Sequence, residues 1–361
     1  MFDPIVLARR NIQKLRPYSS ARHEFAGTAD VYIDANENSM GSPAGGGLNR
    51  YPDPLQSDLK KLLATAKGLS ADRIFVGNGS DEAIDLLFRV FCEPRRDRAL
   101  IFPPTYGMYK VAAAINDVAV DEVFLTSEFQ LDLPNIIDRL NAETKLVFIC
   151  SPNNPTGNSI RRDDIVTVLQ RAEGLVIVDE AYVDFSVFPS VTRLIDEYPN
   201  LVVLQTFSKA WGLAGARVGL AFADERVISL LNRVKPPYNV SRPAQNVAID
   251  ALSEPSNIDK WKEEILTERK ALKAFLGQLT FVLAVYPSDA NFLLVKFTDA
   301  AVVYRFLLDR RIVVRDRSSE PFCEGCLRIT VGTRHENRLL MSSLTEFAGR
   351  TNDAAASKFQ Q

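Results

Sequence analysis

The chain has 361 residues, of which 46% are hydrophobic and 24% are charged, as in a globular protein with a large core and two domains. Its formal net charge of −2 gives no electrostatic basis for binding nucleic acid or a membrane surface, and we expect neither partner. No apolar run approaches the ~20 residues of a membrane helix, and the N-terminus lacks a signal-peptide pattern, so we expect a cytoplasmic protein.

Strand-like and helix-like segments alternate through the middle of the chain. We predict a helix at residues 83–91 and strands at residues 73–76, 99–102, 145–150, 175–178, 201–204 and 218–222. These strands are continuously apolar, which indicates burial on both faces and therefore an α/β fold with a mostly parallel sheet flanked by helices. Polar clusters follow several strands, at the carboxyl ends where such sheets bind their ligands.

The last third of the chain predicts a smaller α+β domain. Its expected helices lie at residues 259–276 and 301–309, and its expected strands at residues 281–286, 290–297 and 326–331. We expect a large domain at residues 38–254 and the small domain at residues 255–350. We expect residues 1–37 to join the small domain, and residues 351–361 to form a frayed, polar tail.

The four cysteines are Cys92, Cys150, Cys323 and Cys326, too few for a disulfide framework in a chain of this length. The CxxC pair Cys323 and Cys326 has no second pair beside it and only two histidines in the chain, so a zinc site is not expected. We expect reduced thiols without a metal, with a redox pair as the alternative.

Lys209 follows the apolar strand at residues 201–204 and stands between Ser208 and small residues. A lysine amine forms Schiff bases with carbonyl compounds, and pyridoxal phosphate is the cofactor that exploits this reaction most. The Arg217 guanidinium and the Ser208 hydroxyl are suited to bind the phosphate of that cofactor. A loop lysine without a function is the alternative, and the motifs upstream argue against it.

The motif Gly77-Asn78-Gly79-Ser80-Asp81-Glu82 joins a predicted strand to a predicted helix. The backbone amides at such a helix N-terminus are free to bind an anion. Glu82 stands where a dinucleotide-binding fingerprint requires glycine, which excludes that interpretation.

Two further motifs follow buried strands. Asn154, in Asn153-Asn154-Pro155-Thr156-Gly157, is expected to form a hydrogen bond with a ring oxygen of the cofactor, although a plain Asn-Pro turn is the alternative. Asp179 is expected to face the pyridine nitrogen and keep it protonated, which makes the ring an electron sink. Tyr182, three residues on, can bond the phenolic oxygen from the same side.

Together these motifs resemble the fold-type-I pyridoxal-phosphate aminotransferases, and among them most closely the histidinol-phosphate aminotransferases. The resemblance extends from about residue 5 to about residue 345. Other motifs that carry it are Arg16-Pro17-Tyr18, Ser20-Ala21-Arg22, Asp34-Ala35-Asn36-Glu37-Asn38, Arg50-Tyr51-Pro52-Asp53-Pro54, Pro103-Pro104-Thr105-Tyr106-Gly107-Met108-Tyr109, Val314-Arg315-Asp316 and Leu327-Arg328-Ile329-Thr330-Val331-Gly332-Thr333.

The resemblance implies that Lys209 binds pyridoxal 5′-phosphate covalently and then transfers a proton as general acid and base. It implies that Tyr106 stacks on the cofactor ring. The groups implied to hold the cofactor phosphate are the backbone amides of Ser80 and Asp81, the side chains of Ser208 and Arg217, and Tyr51 of the partner subunit. The last assignment requires a homodimer with shared active sites.

For the substrates, the resemblance implies that Arg328 binds the α-carboxylate of glutamate or 2-oxoglutarate. Arg315, Tyr18 and Asn36 are implied to line the side where a phosphate or second carboxylate lies, with a solvated surface ion pair as the alternative for Arg315. The expected reaction converts L-histidinol phosphate and 2-oxoglutarate to imidazole-acetol phosphate and L-glutamate, in histidine biosynthesis.

Two alternatives stay open. The same fold serves aromatic and aspartate aminotransferases and a threonine-phosphate decarboxylase. A fold alone fixes no activity, so a non-catalytic ligand-binding module is the second alternative. The presence of Lys209, Asp179 and Tyr182 argues against the non-catalytic alternative.

Overall fold

A computed structural model describes residues 2–18 and 29–358 of the chain, with side chains at residues 2–18 and 29–350. The motif at residues 20–22 and the last three residues of the predicted tail lie outside this part. No helix among the described residues is long and apolar enough to cross a membrane.

The larger of two sheets has seven strands: β1 (Ile74–Asn78), β2 (Arg98–Ile101), β3 (Ala119–Glu122), β4 (Thr144–Cys150), β5 (Leu175–Asp179), β6 (Leu201–Thr206) and β7 (Val218–Ala223). Their order across the sheet is β1-β7-β6-β5-β4-β2-β3. Strands β2 to β6 pair in parallel, while β7 runs antiparallel to both β6 and β1. The predicted mostly parallel sheet is therefore confirmed.

Both faces of this sheet are buried, as the continuous apolar runs predict. Alternate residues of each strand enter two separate apolar cores: Val176 and Val178 of β5 contribute to one, and Leu175 and Ile177 to the other. Each core is closed by helices on its own face, because successive side chains of a strand point to opposite sides.

Helices cover the large sheet on both sides. On one face lie α3 (Ser57–Lys67), α6 (Leu133–Arg139), α7 (Arg162–Arg171) and α9 (Arg242–Ser253), and on the other α4 (Ser80–Phe91), α5 (Met108–Ile115) and α8 (Glu225–Val234). Helix α4 shows why such segments are helical: Ala83, Leu87, Val90 and Phe91 recur at helical spacing and are all buried. Short 3₁₀ turns occupy Ala71–Arg73, Val183–Phe185, Val191–Leu194 and Ala214–Ala216.

The smaller sheet has the strand order β10-β11-β9-β8, and all its pairs are antiparallel. Its strands are β8 (Val282–Val285), β9 (Phe292–Phe297), β10 (Arg315–Asp316) and β11 (Cys326–Thr330). Its helices are α10 (Ser256–Leu276), α11 (Ala300–Asp309) and α12 (Arg334–Lys358). Leu276, Val295 and Leu344 belong to its separate apolar core, so this part buries its own hydrophobic surface.

The prediction that the N-terminal segment joins the small domain is wrong for the described residues 2–14. Two short helices, α1 (Pro4–Leu7) and α2 (Arg10–Gln13), bury Ala8 and Ile12 in a core of the large sheet. The backbone amide of Arg9 also donates to the carbonyl of Val90 in α4 at 2.9 Å. These apolar side chains find their hydrophobic contacts on the large domain, which decides where the segment packs.

Two other elements differ from the sequence-based expectations. Strand β3 is not apolar, because it lies at the sheet edge and contains Asp121 and Glu122; Asp121 is paired with Arg98 of β2 at 2.6 Å. Helix α12 continues to Lys358, so the backbone of residues 351–358 is helical where a frayed tail was expected.

Candidate active site

The topology brings the predicted site residues to one edge of the large sheet. The parallel strands β4, β5 and β6 end there at Cys150, Asp179 and Thr206. Strand β7 begins at the same edge because it is antiparallel to β6, which places Arg217 beside Ser208. A cavity of about 430 Å³ opens at this edge, and the small sheet contributes its opposite wall.

The N-terminus of α4 forms one end of the cavity. Its N-cap is Gly79, with φ +77° and no capping side chain, so the first amides of the helix are left free for an anion. The amide of Gly79 donates to the carbonyl of Arg217 at 2.8 Å, and Arg217 itself has φ 57°. A Cβ on Gly219 would lie 2.1 Å from the backbone of Gly79, so this close approach requires glycine.

The side chains around this helix N-terminus are linked by polar contacts. The Tyr106 hydroxyl donates to Asp81 Oδ1 at 3.1 Å, and Arg217 Nη2 lies 3.8 Å from Asp81 Oδ2. The Ser208 hydroxyl accepts a hydrogen bond from Thr206 at 3.0 Å. A hydroxyl, a guanidinium and free helix amides therefore surround one small space, as a phosphate site requires.

Asp179 forms the floor of the cavity and is 3% exposed. Burial raises the pKa of its carboxyl to about 6. Hydrogen bonds from Tyr109 and the Ala181 amide act in the opposite direction and lower this pKa, but burial has the larger effect. The Tyr109 hydroxyl donates to Oδ2 at 2.8 Å, and the Ala181 amide donates to Oδ1 at 3.1 Å. Tyr109 was not among the predicted site residues; its position three residues after Tyr106, in the motif at residues 103–109, was the available signal.

Lys209 lines the same cavity. Its Nζ lies 5.5 Å from the centre of the Tyr182 ring and forms no hydrogen bond or ion pair with the described residues. Burial of the amine lowers its pKa, and the charge of Arg328 lowers it further. Tyr182 is itself buried and packs edge-to-face on Phe292, with ring centres 5.1 Å apart.

Arg328 links the small sheet to the cavity floor. Its Nη1 donates to Oδ1 of the buried Asn154, and its guanidinium carbon lies 5.2 Å from the Phe292 ring centre. Its Nε is buried without a hydrogen-bond partner among the described residues. Burial lowers the pKa of this guanidinium, so an arriving carboxylate would relieve an unfavourable environment.

Arg315 and Arg317 complete the wall formed by the small sheet. Arg315 of β10 lies directly opposite Arg328 of β11, and all three arginines line the cavity. The sequence analysis selected Arg315 and Arg328 but not Arg317. The alternation Arg315-Asp316-Arg317, which places two arginines on one face of an extended segment, was the signal that could have identified it.

Most of the predicted site residues line this cavity, namely Ser80, Asp81, Tyr106, Asn154, Asp179, Tyr182, Ser208, Lys209, Arg217, Arg315 and Arg328. Three do not. Tyr18 is 75% exposed, Asn36 lies exposed on the surface, and Tyr51 stacks on Tyr238 with ring centres 4.4 Å apart. In a single chain these three side chains stay outside the site.

The cysteines were expected to be reduced thiols without a metal. No cluster of metal-binding side chains occurs at residues 2–18 and 29–350, and all four thiols are buried and unpaired. Burial raises the pKa of Cys323 to about 12 and that of Cys326 to about 11. Such thiols are poor nucleophiles, which favours unreactive reduced thiols over a redox pair.

The cavity fits pyridoxal phosphate by the chemistry of its groups. One end offers free helix amides, a hydroxyl and a guanidinium for a phosphate, and the close approach of Gly219 to the backbone of Gly79 and Ser80 fixes the start of the helix there. Asp179 offers a buried carboxylate for a protonated ring nitrogen, and the amine of Lys209, which forms no ion pair with the described residues, lines the same cavity.

Comparison with known proteins agrees with this fit. A model of the aminotransferase class I and II family matches residues 22–344. A histidinol-phosphate aminotransferase of Cytophaga hutchinsonii is 49% identical over 341 residues, which cover 94% of this chain and 98% of that protein. One from Bacteroides thetaiotaomicron is 49% identical over 344 residues, covering 95% and 98%.

A solved structure also resembles the chain over most of its length. The histidinol-phosphate aminotransferase from Sinorhizobium meliloti in complex with pyridoxal-5′-phosphate superposes with a TM-score of 0.78 at 27% identity. The superposition covers 88% of this chain and 90% of that one.

Proposed function

The chain belongs to the family of class I and II aminotransferases, and we propose that within it the protein is a histidinol-phosphate aminotransferase. It is a pyridoxal-phosphate-dependent enzyme, as its motifs predict. The proposed reaction transfers the amino group of L-histidinol phosphate to 2-oxoglutarate, giving imidazole-acetol phosphate and L-glutamate. The 49% identity to histidinol-phosphate aminotransferases over nearly the whole chain carries this proposal.

The residues proposed to hold the cofactor all line the cavity. The α4 amides, Ser208 and Arg217 bind its phosphate, and Asp179 binds its ring nitrogen. When bound, pyridoxal phosphate supplies a covalent attachment for the amino group and a conjugated ring that withdraws electrons from the substrate Cα. Asp179 holds a proton at the ring nitrogen because its own buried carboxylate is stabilised by that positive charge.

Lys209 is proposed to move the proton at the substrate Cα. Its lowered pKa increases the fraction of neutral amine at neutral pH, which is the form that accepts a proton. Its Nζ is not held by an ion pair with the described residues, so the amine is free to accept and return the proton. Tyr182 lies beside this amine, and its ring is held in position by its contact with Phe292.

Arg328 is proposed to bind the α-carboxylate of glutamate and 2-oxoglutarate. Its contact with Asn154 connects the substrate-binding guanidinium to the residue proposed to bond the cofactor ring hydroxyl. A carboxylate bound there would occupy the buried Nε that has no partner. Arg315 is proposed to bind the phosphate or second carboxylate of each substrate.

We further propose a homodimer in which Tyr51, Tyr18 and Asn36 serve the cavity of the partner subunit. None of the three reaches the cavity of its own chain. The segment that carries Tyr51 also exposes large apolar side chains, with Ile33 86% and Met40 94% exposed. Apolar exposure of this extent is typical of a surface that a second subunit covers.

We also propose that the protein is cytoplasmic. Four unpaired thiols suit a reducing compartment.

A panel of single-turnover half-reactions tests the proposed substrate. The cofactor-loaded enzyme is mixed separately with L-histidinol phosphate, phenylalanine and aspartate, and the change in its visible absorption is followed. We expect the largest rate with histidinol phosphate. A preference for phenylalanine or aspartate would replace the proposal with an aromatic or aspartate aminotransferase, and release of CO₂ from threonine phosphate would indicate the decarboxylase.

A further inference from the structure

Arg317 lines the cavity, and neither the motifs nor the proposed mechanism gives it a role. Its backbone amide donates to the carbonyl of Cys326 at 2.9 Å, which continues the pairing of β10 with β11. Arg315 and Arg317 are therefore two residues apart in extended backbone and leave it on the same side. Asp316 points elsewhere and accepts a hydrogen bond from the Ser318 amide.

The cavity carries an excess of positive charge, and most of it lies on the wall formed by the small sheet. Five cationic side chains line it against the two carboxylates of Asp81 and Asp179. Arg217 and Asp179 are matched to the two ends of the cofactor, which leaves three guanidinium groups on the substrate side. Burial lowers the pKa of Arg328, and the positive charges of Arg317 and Arg315 lower it further. The three guanidinium groups are therefore close enough to repel one another.

Among the described residues, Arg317 has only one weak anionic partner. Its Nη1 lies 3.7 Å from Glu320, a residue that does not line the cavity, and its side chain is 21% exposed. Its Nε is buried and has no hydrogen-bond partner among the described residues. A buried guanidinium donor without an acceptor is costly, and an anionic ligand bound in the cavity would supply the missing acceptor.

We propose that Arg317, together with Arg315, binds the phosphate of the amino-alcohol substrate and selects for a doubly charged group at that position. A phosphate monoester carries a charge of about −1.5 to −2 at neutral pH and three acceptor oxygens, which suits two guanidinium groups. A substrate with a single carboxylate engages the same pair less completely. The inference rests on the proposed function and names the residue that sets its substrate specificity.

The test compares L-histidinol phosphate with L-histidinol, which differ only in the phosphate. For the cofactor-loaded wild type and Arg317→Gln, kcat/KM is measured for both amino donors. We expect the ratio of the two values to fall about 10- to 100-fold in the variant, mainly through KM, because a charge-assisted hydrogen bond is lost. A purely structural role would lower both values together and leave their ratio unchanged, which would overturn the proposal.

Two further variants separate phosphate binding from loop packing. Arg317→Lys keeps the charge but not the forked geometry, and we expect it to restore part of the ratio. Glu320→Gln removes the partner of Arg317 without touching the cavity, so we expect the ratio to stay at the wild-type value. A fall in Glu320→Gln as large as in Arg317→Gln would show that the effect comes from the loop.

Inhibition by inorganic phosphate gives an independent readout of the same site. We expect phosphate to compete with histidinol phosphate in the wild type and to inhibit Arg317→Gln more weakly by a similar factor. If the wild type does not use histidinol phosphate, the proposed function fails. If it does and Arg317→Gln retains both the ratio and the inhibition, only the role of Arg317 fails.

Discussion

The hydroxyl of Tyr109 donates a hydrogen bond to Oδ2 of Asp179 at 2.8 Å, and both residues are buried. The Tyr109 ring is held in turn by Phe148, with ring centres 4.7 Å apart, and by Tyr106, with ring centres 5.5 Å apart. This packing holds the phenol and therefore one oxygen of the carboxylate in place. Tyr109 thus acts as a positioning residue for the group proposed to face the cofactor nitrogen.

Removing that hydroxyl should weaken cofactor binding. In Tyr109→Phe the ionised carboxylate loses a hydrogen bond that lowers its pKa, so the pKa of Asp179 rises further. We expect the dissociation constant for pyridoxal phosphate to increase about tenfold, the cost of one hydrogen bond to a charged group. Titration of the apoenzyme measures it. Phe148→Leu, which alters the packing but keeps the hydroxyl, should have a smaller effect.

The ionisation of Asp179 should destabilise the apoenzyme at neutral pH. Burial raises its pKa from 3.8 to about 6, so the folded state binds this proton more tightly than the unfolded state does. The stabilisation from this proton is fully present below pH 3.8 and is lost as the pH rises through about 6. Asp179→Asn has no such loss, and its apoenzyme should be more stable than wild type above pH 6, by on the order of 3 kcal/mol.

Urea unfolding of both apoenzymes across this pH range measures the difference in free energy of unfolding. The difference in free energy of unfolding between the two apoenzymes should shrink toward zero in acid. The cofactor-loaded Asp179→Asn enzyme should show almost no turnover. Two stability curves that run parallel from acid to alkaline pH would contradict the assigned pKa.

Lys209 should be essential for turnover. Lys209→Ala removes both the covalent anchor and the proton carrier, and we expect the half-reaction to slow by at least about 1,000-fold. Lys209→Arg keeps the positive charge, so an equal loss there would show that the neutral amine matters rather than the charge. In the wild type, borohydride should fix the cofactor onto Lys209, as mass analysis of the peptide would reveal. Normal turnover by Lys209→Ala would disprove the mechanism.

The close contact between β7 and the start of α4 should tolerate only glycine. In Gly219→Ala the new Cβ would lie 2.1 Å from the backbone of Gly79 and Ser80, so the anion-binding amides must move. We expect a loss of about 1–3 kcal/mol in free energy of unfolding, together with weaker cofactor binding. Gly215→Ala is the matched control, because a Cβ there meets nothing within 4 Å. Equal behaviour of the two variants would contradict this account.

Shared active sites predict complementation between inactive subunits. Lys209→Ala and Tyr51→Ala chains are each expected to be impaired when alone. In a mixed dimer, one site would combine the intact lysine with the intact tyrosine of the other chain. Random mixing of equal amounts should therefore restore about a quarter of the wild-type sites. If Tyr51 acts within its own chain, mixing after subunit exchange will restore no activity.

Much of this fold could be predicted from the sequence, because most of its strands are continuous apolar runs, which indicate buried strands. β5 and β6 were expected within two residues of their observed ends, as was the helix at residues 300–309. β3 could not be recognised, since an edge strand that carries Asp121 and Glu122 has no apolar pattern. The N-terminal segment was misplaced because the apolar residues Ala8 and Ile12 do not specify which core they enter.

The sequence by itself determined the reactive groups: Lys209, Asp179 and Asn154 end or follow strands whose parallel pairing must bring their ends together, and Arg217 directly precedes another strand. Only the tertiary structure decided what surrounds them. Tyr109 reaches Asp179 across 70 residues, and Arg328 reaches Asn154 across 174. Local spacing cannot specify such contacts, because they depend on how helices and a second sheet pack at one edge. The pKa of Lys209 and the exposure of Arg317 follow from that packing.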